Sequence, residues 1–263
     1  MIQNHIYDGA VQAPSPNFTD KVIKPVFIVM HYTAGWEVKS TLQTFANRSS
    51  KVSAQFTIDI DGTIYQHVPC NKRAWHAGPS SYNGVKNLND HSIGIEFVNP
   101  GFLRKVGDDM YQDAYGSRVS GKSVGPMVEA AHARVGSGTF YWPAYSKAQI
   151  EAGEALTKAL IEAYPIRDIV THEEIDTRGW KTDPGPAFPM NRFKALLSDL
   201  GEDVVDFEVT ADELNVRTSP SMASPVQSKL LRGTKVRALE KNAPWVRISP
   251  NGWVHGDFLR AAA

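Results

Sequence analysis

Continuous apolar runs, rather than strict alternation, mark the first half of the chain. Val26-Phe27-Ile28-Val29-Met30 stands between polar residues, as a strand buried on both faces would. Val52 to Val68 reads as a hairpin: Phe56, Ile58 and Ile60 alternate, Asp61-Gly62 is a turn signal, and Ile64 and Tyr65 begin the return. Ser92 to Val98 is a further strand, with Ile93, Ile95 and Phe97 on one face and Gly94, Glu96 and Val98 on the other. Ile169-Val170 is a short apolar run that reads as another buried strand.

Helical spacing appears three times. Residues 40–48 carry Leu42, Phe45 and Ala46, with Ser40 and Gln43 in capping-box positions. Residues 146–164 repeat Ile150, Gly153, Leu156, Leu160 and Tyr164 along one face, with Ser146 and Gln149 as a capping box and Pro165 as the stop. Residues 189–200 turn Phe193, Leu196, Leu197 and Leu200 inward. Residues 1–24 read as an irregular arm. Residues 99–140, rich in Gly, Ser and charge, read as a lid or insertion with one helix near 126–134, on whose surface His132 would lie.

The pattern changes after an acidic, apolar-poor stretch from Ser198 to Asp206. Residues 214–217, 236–239, 245–248 and 252–254 are short strands, separated by Ser219-Pro220, Arg232-Gly233-Thr234 and Asn251-Gly252. That rhythm predicts a small all-β barrel. The expected architecture is α/β, a central mixed β-sheet flanked by helices, over residues 1–200 with an insertion at about 99–140, followed by the barrel over 207–263.

Composition narrows the function classes. Lys and Arg total 28, Asp and Glu 28, and the net charge is zero, so no charge excess favours nucleic acid or a membrane surface. No run approaches the roughly eighteen apolar residues of a membrane span. The one cysteine, Cys70, excludes an internal disulfide framework and reads as a small buried hydrophobe. Met1 to Phe18 lack a basic start and an apolar stretch, so the expectation is synthesis without a classical signal peptide. The protein would then stay in the cytoplasm or reach the wall or periplasm by lysis or a specialised secretion route.

Candidate chemistry gathers in Thr171 to Pro186, THEEIDTRGWKTDPGP. His172 and Asp183 are ligand types that zinc accepts, Lys181 places a positive charge beside them, and Pro184-Gly185-Pro186 makes a stiff turn. His31 follows a buried strand and precedes a Gly-containing turn, where open α/β sheets place ligands. A lone histidine there is usually a half-buried structural side chain; the similar setting of His172 reverses that weighting. Glu96, a carboxylate among β-formers, is costly unless paired or used and becomes the general-base candidate beside a metal. Trp75 and His76 could line a sugar or peptide groove, or be a core ring and a loop-orienting histidine.

Residues 29–34, 52–56, 72–78 and 92–96, then His172 and Lys181-Thr182-Asp183-Pro184-Gly185-Pro186, occur in order. Together they resemble the zinc-dependent N-acetylmuramoyl-L-alanine amidases of the type 2 class, which are related to peptidoglycan-recognition proteins, over about residues 25–197. The tail resembles a bacterial SH3-like domain through residues 214–217 and 252–254. The resemblance implies Zn2+ held by His31, His172 and Asp183, with Glu96 as general base and Lys181 as oxyanion stabiliser. The candidate substrate contacts are Tyr32, Trp75 and His76, and the expected partner is peptidoglycan or muropeptides. The family often has a histidine where this chain has Gln55, which is expected to alter the groove; the insertion puts the substrate range in question. The implied reaction is hydrolysis of the lactyl-to-L-alanine amide by a wall-lytic, endolysin-like enzyme. The alternatives are a non-catalytic peptidoglycan recognition module and a cytoplasmic amidase that recycles anhydro-muropeptides.

Overall fold

The run after Pro25 forms the strand Phe27–Tyr32, whose first five residues are buried. Burial on both faces follows from its neighbours, Asp168–Thr171 on one side and Ser92–Phe97 on the other, both parallel to it. Phe56–Ile58 continues the sheet in parallel, Ile64–Gln66 returns antiparallel, and Val11–Gln12 closes the edge. The result is the expected mixed sheet, six strands wide. The structure is a computed structural model that describes residues 1–199, 206–238, 240–249 and 252–261.

Alternation along the central strands divides their work. Ile28, Met30, Ile93, Ile95 and Phe97 share one face and pack on Ile150, Leu156 and Leu160 of the helix Lys147–Ala163 and on Phe193 and Leu196 of the helix Met190–Asp199. The opposite face carries Val29, Val170, Ala77, Leu88 and Ile175 as a smaller apolar cluster. His31 and Glu96 fall on that second face, because residues two apart in a strand point the same way. Ser146 and Gln149 form their capping box. Leu200 lies outside the described residues.

Four sequence expectations change. The helix expected at 126–134 is a strand, Met127–His132, paired antiparallel with Gly136–Pro143. Its Met, Val and Ala fit either period, and pairing with the second strand decides the outcome. Residues 99–140 hold more than the one element expected: a three-stranded sheet of Arg104–Lys105, Met110–Gln112 and Arg118–Ser120 stands beside that hairpin. Leu103, Phe140 and Trp142 are buried there, and Asn99 Nδ2 donates to Pro143 O at 3.0 Å where the segment begins and ends. Residues 1–24 are not an irregular arm, since Val11–Gln12 joins the main sheet and Phe18–Val22 pairs with Lys72–Ala74. Strands of two to five residues are too short to show a period. The helix Val38–Ala46 has Glu37 at its N-cap with no side-chain cap, and Ser40 Oγ donates to Glu37 O instead.

The chain divides into two compact units, Met1–Leu200 and Gly201–Ala263. Strands in the second unit pair antiparallel throughout around Val209, Leu214, Val216, Val246 and Val254. The expected strands are present, the one expected at 236–239 as Lys235–Arg237 with Ala238 outside it; Leu239, the Asn251 turn position and most of the Ser198–Asp206 boundary lie outside the described residues. Val226–Leu231, almost wholly exposed, has no apolar pattern to announce it. Among the described residues no helix is long and apolar enough to cross a membrane.

Candidate metal centre

Three segments deliver the site. His31 lies near the C-terminal end of its strand. His172 opens a short helix, His172–Ile175, that follows the neighbouring strand directly, with Thr171 and Glu174 forming a capping box. The T-x-x-E signature of that box was present in the sequence. Asp183 arrives by a loop organised around Asp176, whose side chain is fully buried. Asp176 Oδ2 accepts the N–H groups of Trp180 at 3.0 Å and Lys181 at 3.2 Å, and Oδ1 meets Arg178 Nε at 2.9 Å. The Glu173 N–H donates to Asp183 O at 3.1 Å, which seats the aspartate beside His172. Tyr145 Oη donates to Pro184 O at 2.7 Å.

His31 Nδ1, His172 Nδ1 and Asp183 Oδ2 stand 2.9 Å from one another. All three residues are at least 95 % buried, at 1 %, 3 % and 5 % exposure. Hydrogen bonds cannot satisfy all three edges of this triangle. If both ring nitrogens donate to the carboxylate, their hydrogens have nothing to share along the third edge. His172 Nε2 is also buried without a partner. A cation facing all three atoms would remove the conflict. Burial and the neighbouring His172 push His31 down to about 4. Burial would raise the Asp183 carboxyl, yet hydrogen bonds from His172 and His31 outweigh it and hold the group well below the usual carboxylate range. Neutral imidazole and ionised carboxylate are the forms that bind a metal, so the donor set fits a zinc-type ion.

Glu96 pairs in register with His31 on the adjacent strand. Its Oε2 is buried without a hydrogen-bond partner. Burial raises its pKa well above the usual carboxylate value; the Asp183 charge adds to the rise and Lys181 opposes it. Lys181 has its Nζ 4.5 Å from the centre of the Trp180 ring. A cavity of about 740 Å³ is lined by Tyr32, Trp75, His76, Glu96, His172, Lys181 and Asp183. Phe102, Ala114, Tyr115, Arg134 and Val135 bring the 99–143 segment into its wall.

The predicted substrate contacts differ in setting. Trp75 is half-buried, with Nε1 donating to Thr19 Oγ1 at 3.0 Å. Tyr32 shares a hydrogen bond with Thr182 Oγ1. His76 is 9 % exposed, and its Nδ1 lies 3.0 Å from His31 Nε2. Asn89 Oδ1 fixes this histidine by accepting the N–H groups of His76 and Ala77. A Cβ on Gly94 would come within 2.6 Å of the His76 ring, so glycine there makes room for it. Gln55 does not touch the groove: it is fully buried, donates to Lys72 O and accepts the Gly94 N–H at 2.8 Å. His132 is a strand residue, with Nε2 3.1 Å from Glu173 Oε2. Asp176, Asn89 and Arg134 were not legible as site residues. Gly94, an isolated glycine inside a strand pattern, was a usable signal.

The family model described as N-acetylmuramoyl-L-alanine amidase matches residues 21–186, and the bacterial SH3 domain model matches residues 212–260. The 1,6-anhydro-N-acetylmuramyl-L-alanine amidase AmpD of Salmonella typhimurium is 37% identical over 149 residues, 56% of this chain and 58% of that one. The N-acetylmuramoyl-L-alanine amidase AmiD of Escherichia coli is 30% identical over 171 residues, 62% of this chain and 49% of that one. The chain thus spans less than two thirds of the length of these relatives. A solved AmpD structure, a selenomethionine derivative, is similar with a TM-score of 0.48 at 30% identity, over 74% of this chain and 98% of that one. With the matched stretch running from residue 21 to residue 186 of 263, most of the first unit is accounted for, and the chain belongs to the N-acetylmuramoyl-L-alanine amidase family.

Proposed function

We propose that this chain is a zinc-dependent amidase that hydrolyses the amide between the lactyl group of N-acetylmuramic acid and L-alanine in peptidoglycan or its fragments. The observation that carries this reading is Glu96, whose Oε2 is buried without a hydrogen-bond partner, in the wall of the cavity that holds His172, Lys181 and Asp183. His31, His172 and Asp183 would hold the ion. Zinc, when bound, supplies Lewis acidity and lowers the pKa of water to about 7.

The chain's own groups do the rest. His31 directs Nε2–H to His76 Nδ1, which leaves the Nδ1 lone pair for the ion. Glu96 takes a proton from the water that attacks the carbonyl carbon, and a carboxyl pKa raised by burial suits that role. Lys181 meets the negative charge that develops on the carbonyl oxygen. As the C–N bond breaks, Glu96 returns the proton to the departing alanine nitrogen. Tyr32 and Trp75 contribute cavity surface for sugar and peptide.

The 207–263 unit would hold the enzyme on the wall, which favours polymeric substrate. The likeness to AmpD, named for 1,6-anhydro-muropeptides, favours small soluble ones as a second reading. A purely recognising module does not need an unpaired buried carboxyl beside a ligand triangle. Mass spectrometry of soluble products from isolated sacculi, with and without a chelator, tests all three. Chelator-sensitive release of stem peptides that begin with free L-alanine is expected. Intact sacculi with cleaved anhydro-muropeptides would establish the second reading, and bound but intact substrate of both kinds would overturn catalysis.

A further inference from the structure

The hairpin Met127–His132/Gly136–Pro143 ends in a turn, Ala133–Val135, that reaches the ligand-bearing loops. Arg134 Nη1 donates to the carbonyl oxygens of Glu173 and Lys181, both at 2.9 Å. Its Nε lies 3.8 Å from Glu173 Oε1, and His132 Nε2 lies 3.1 Å from Glu173 Oε2. The same Lys181 peptide segment is held from its other end by Asp176, which accepts the Lys181 N–H at 3.2 Å. Lys181 therefore has its N–H gripped by a buried carboxylate and its C=O by a guanidinium, one from its own loop and one from the inserted hairpin.

We propose that Arg134 is a positioning residue for Lys181, so that the inserted hairpin is part of the catalytic apparatus and not only a wall of the cavity. The proposal rests on the amidase reading above. A lysine side chain has four rotatable bonds beyond its backbone, and among the described residues its ammonium has no hydrogen bond or ion pair, only the Trp180 ring 4.5 Å away. Where that ammonium sits in the cavity is set first by the backbone that carries it. The metal ligands keep supports that Arg134 does not make: the Thr171–Glu174 capping box holds the turn that His172 opens, and the Glu173 N–H holds the Asp183 carbonyl, although Arg134 also grips the Glu173 carbonyl. Loss of Arg134 thus removes the hold on the Lys181 carbonyl, while the capping box and the Glu173 N–H still seat the ligands.

The test uses the full-length chain and the variants Arg134→Ala, Arg134→Lys, Lys181→Ala and the double variant Arg134→Ala/Lys181→Ala. Arg134→Ala should lower kcat on a soluble muropeptide by about ten- to a hundredfold, since a displacement of about 1 Å at a catalytic group costs on that order. KM and the zinc dissociation constant, read by chelator competition, should stay within about threefold, well inside that kcat range. The effect on kcat should disappear in the Lys181→Ala background, because residues acting as one unit are not additive. Arg134→Lys should recover only part of the rate, since an ammonium can donate to both carbonyls as Nη1 does but lacks the Nε that faces Glu173 Oε1 at 3.8 Å.

Hydrogen exchange of the amides from Arg178 to Asp183 gives a readout independent of turnover, and it should accelerate in Arg134→Ala. Unchanged exchange, or a kcat loss that persists undiminished without Lys181, would overturn the proposal. A raised KM at normal kcat would make Arg134 a substrate contact instead, which also overturns it. Failure of the wild-type chain to cleave any muropeptide would sink the amidase reading alone, and the exchange experiment would still decide whether Arg134 holds Lys181.

Discussion

Glu96 stands directly across from His31 in the parallel pairing of Ser92–Phe97 with Phe27–Tyr32. The proposed general base and a proposed metal ligand therefore share one rung of the central sheet on neighbouring strands. Glu96→Gln should keep metal and fold, yet lose about a hundred- to ten-thousandfold in kcat, the range general-base groups supply. Steady-state rates beside metal content check this, and a variant that turns over near the wild-type rate would remove Glu96 from its role.

The same substitution should change stability with a definite sign. In the metal-free protein, the unfolded chain ionises Glu96 near 4.5 while the folded state keeps it protonated to higher pH. The stability tied to this group is complete below 4.5 and is lost as pH rises through the folded-state value. Glutamine has no such loss. The melting temperature of chelated Glu96→Gln should match the wild type in acid and exceed it increasingly as pH rises. A difference that stays flat with pH would show the carboxyl equally ionised in both states.

Removal of a ligand should remove ion and activity together. His31→Ala, His172→Ala and Asp183→Ala should each bind zinc far more weakly, and each should lose the thermal stabilisation that added zinc gives the wild type. Metal analysis and melts with and without zinc are the measurements. Tight, stoichiometric zinc in Asp183→Ala would place the ion elsewhere.

Gly94→Ala should injure the site through His76. Its Cβ would stand 2.6 Å from the His76 ring, so the ring must move and the contact to His31 Nε2 must break. Partners beyond the ligands of metal sites typically cost about ten- to a hundredfold in affinity or activity when lost. A crystal structure with zinc affinity would show whether ring displacement and weaker binding go together; an undisturbed affinity would reduce His76 to a packing residue.

Deletion of residues 207–263 should spare hydrolysis of small soluble muropeptides and weaken retention on sacculi, since the two units are compact by themselves. Pull-down and product analysis would separate these effects. Loss of cleavage on small substrates would show that the second unit serves the catalytic centre.

Much of this was legible in the chain because it rests on local pattern. The runs at 26–30 and 92–98 announced buried strands, and alternation within the second put Glu96 opposite the helix-packed face. The ligand types at 31, 172 and 183 were legible as chemistry, but not their 2.9 Å triangle, which is made by strand order and by the loop around Asp176. Arg134 gave no signal, because its partners are the backbone carbonyls of Glu173 and Lys181, and a carbonyl looks the same in every residue. The strand at 127–132 was missed because its partner, beginning Gly136-Ser137-Gly138, does not resemble a strand.

The bond between Asn99 and Pro143 brings the two ends of the 99–143 segment to one point on the molecule. A stretch that leaves and returns at a single place behaves as a cassette: its length and contents can change while the sheet and the ligand triangle keep their register. One wall of the cleft thereby enters and leaves the fold at a single place, and Arg134 ties its tip to the Lys181 loop. Chains with the same metal chemistry could diverge in the peptides and glycans they accept by exchanging this piece, provided the hold on the Lys181 carbonyl is kept.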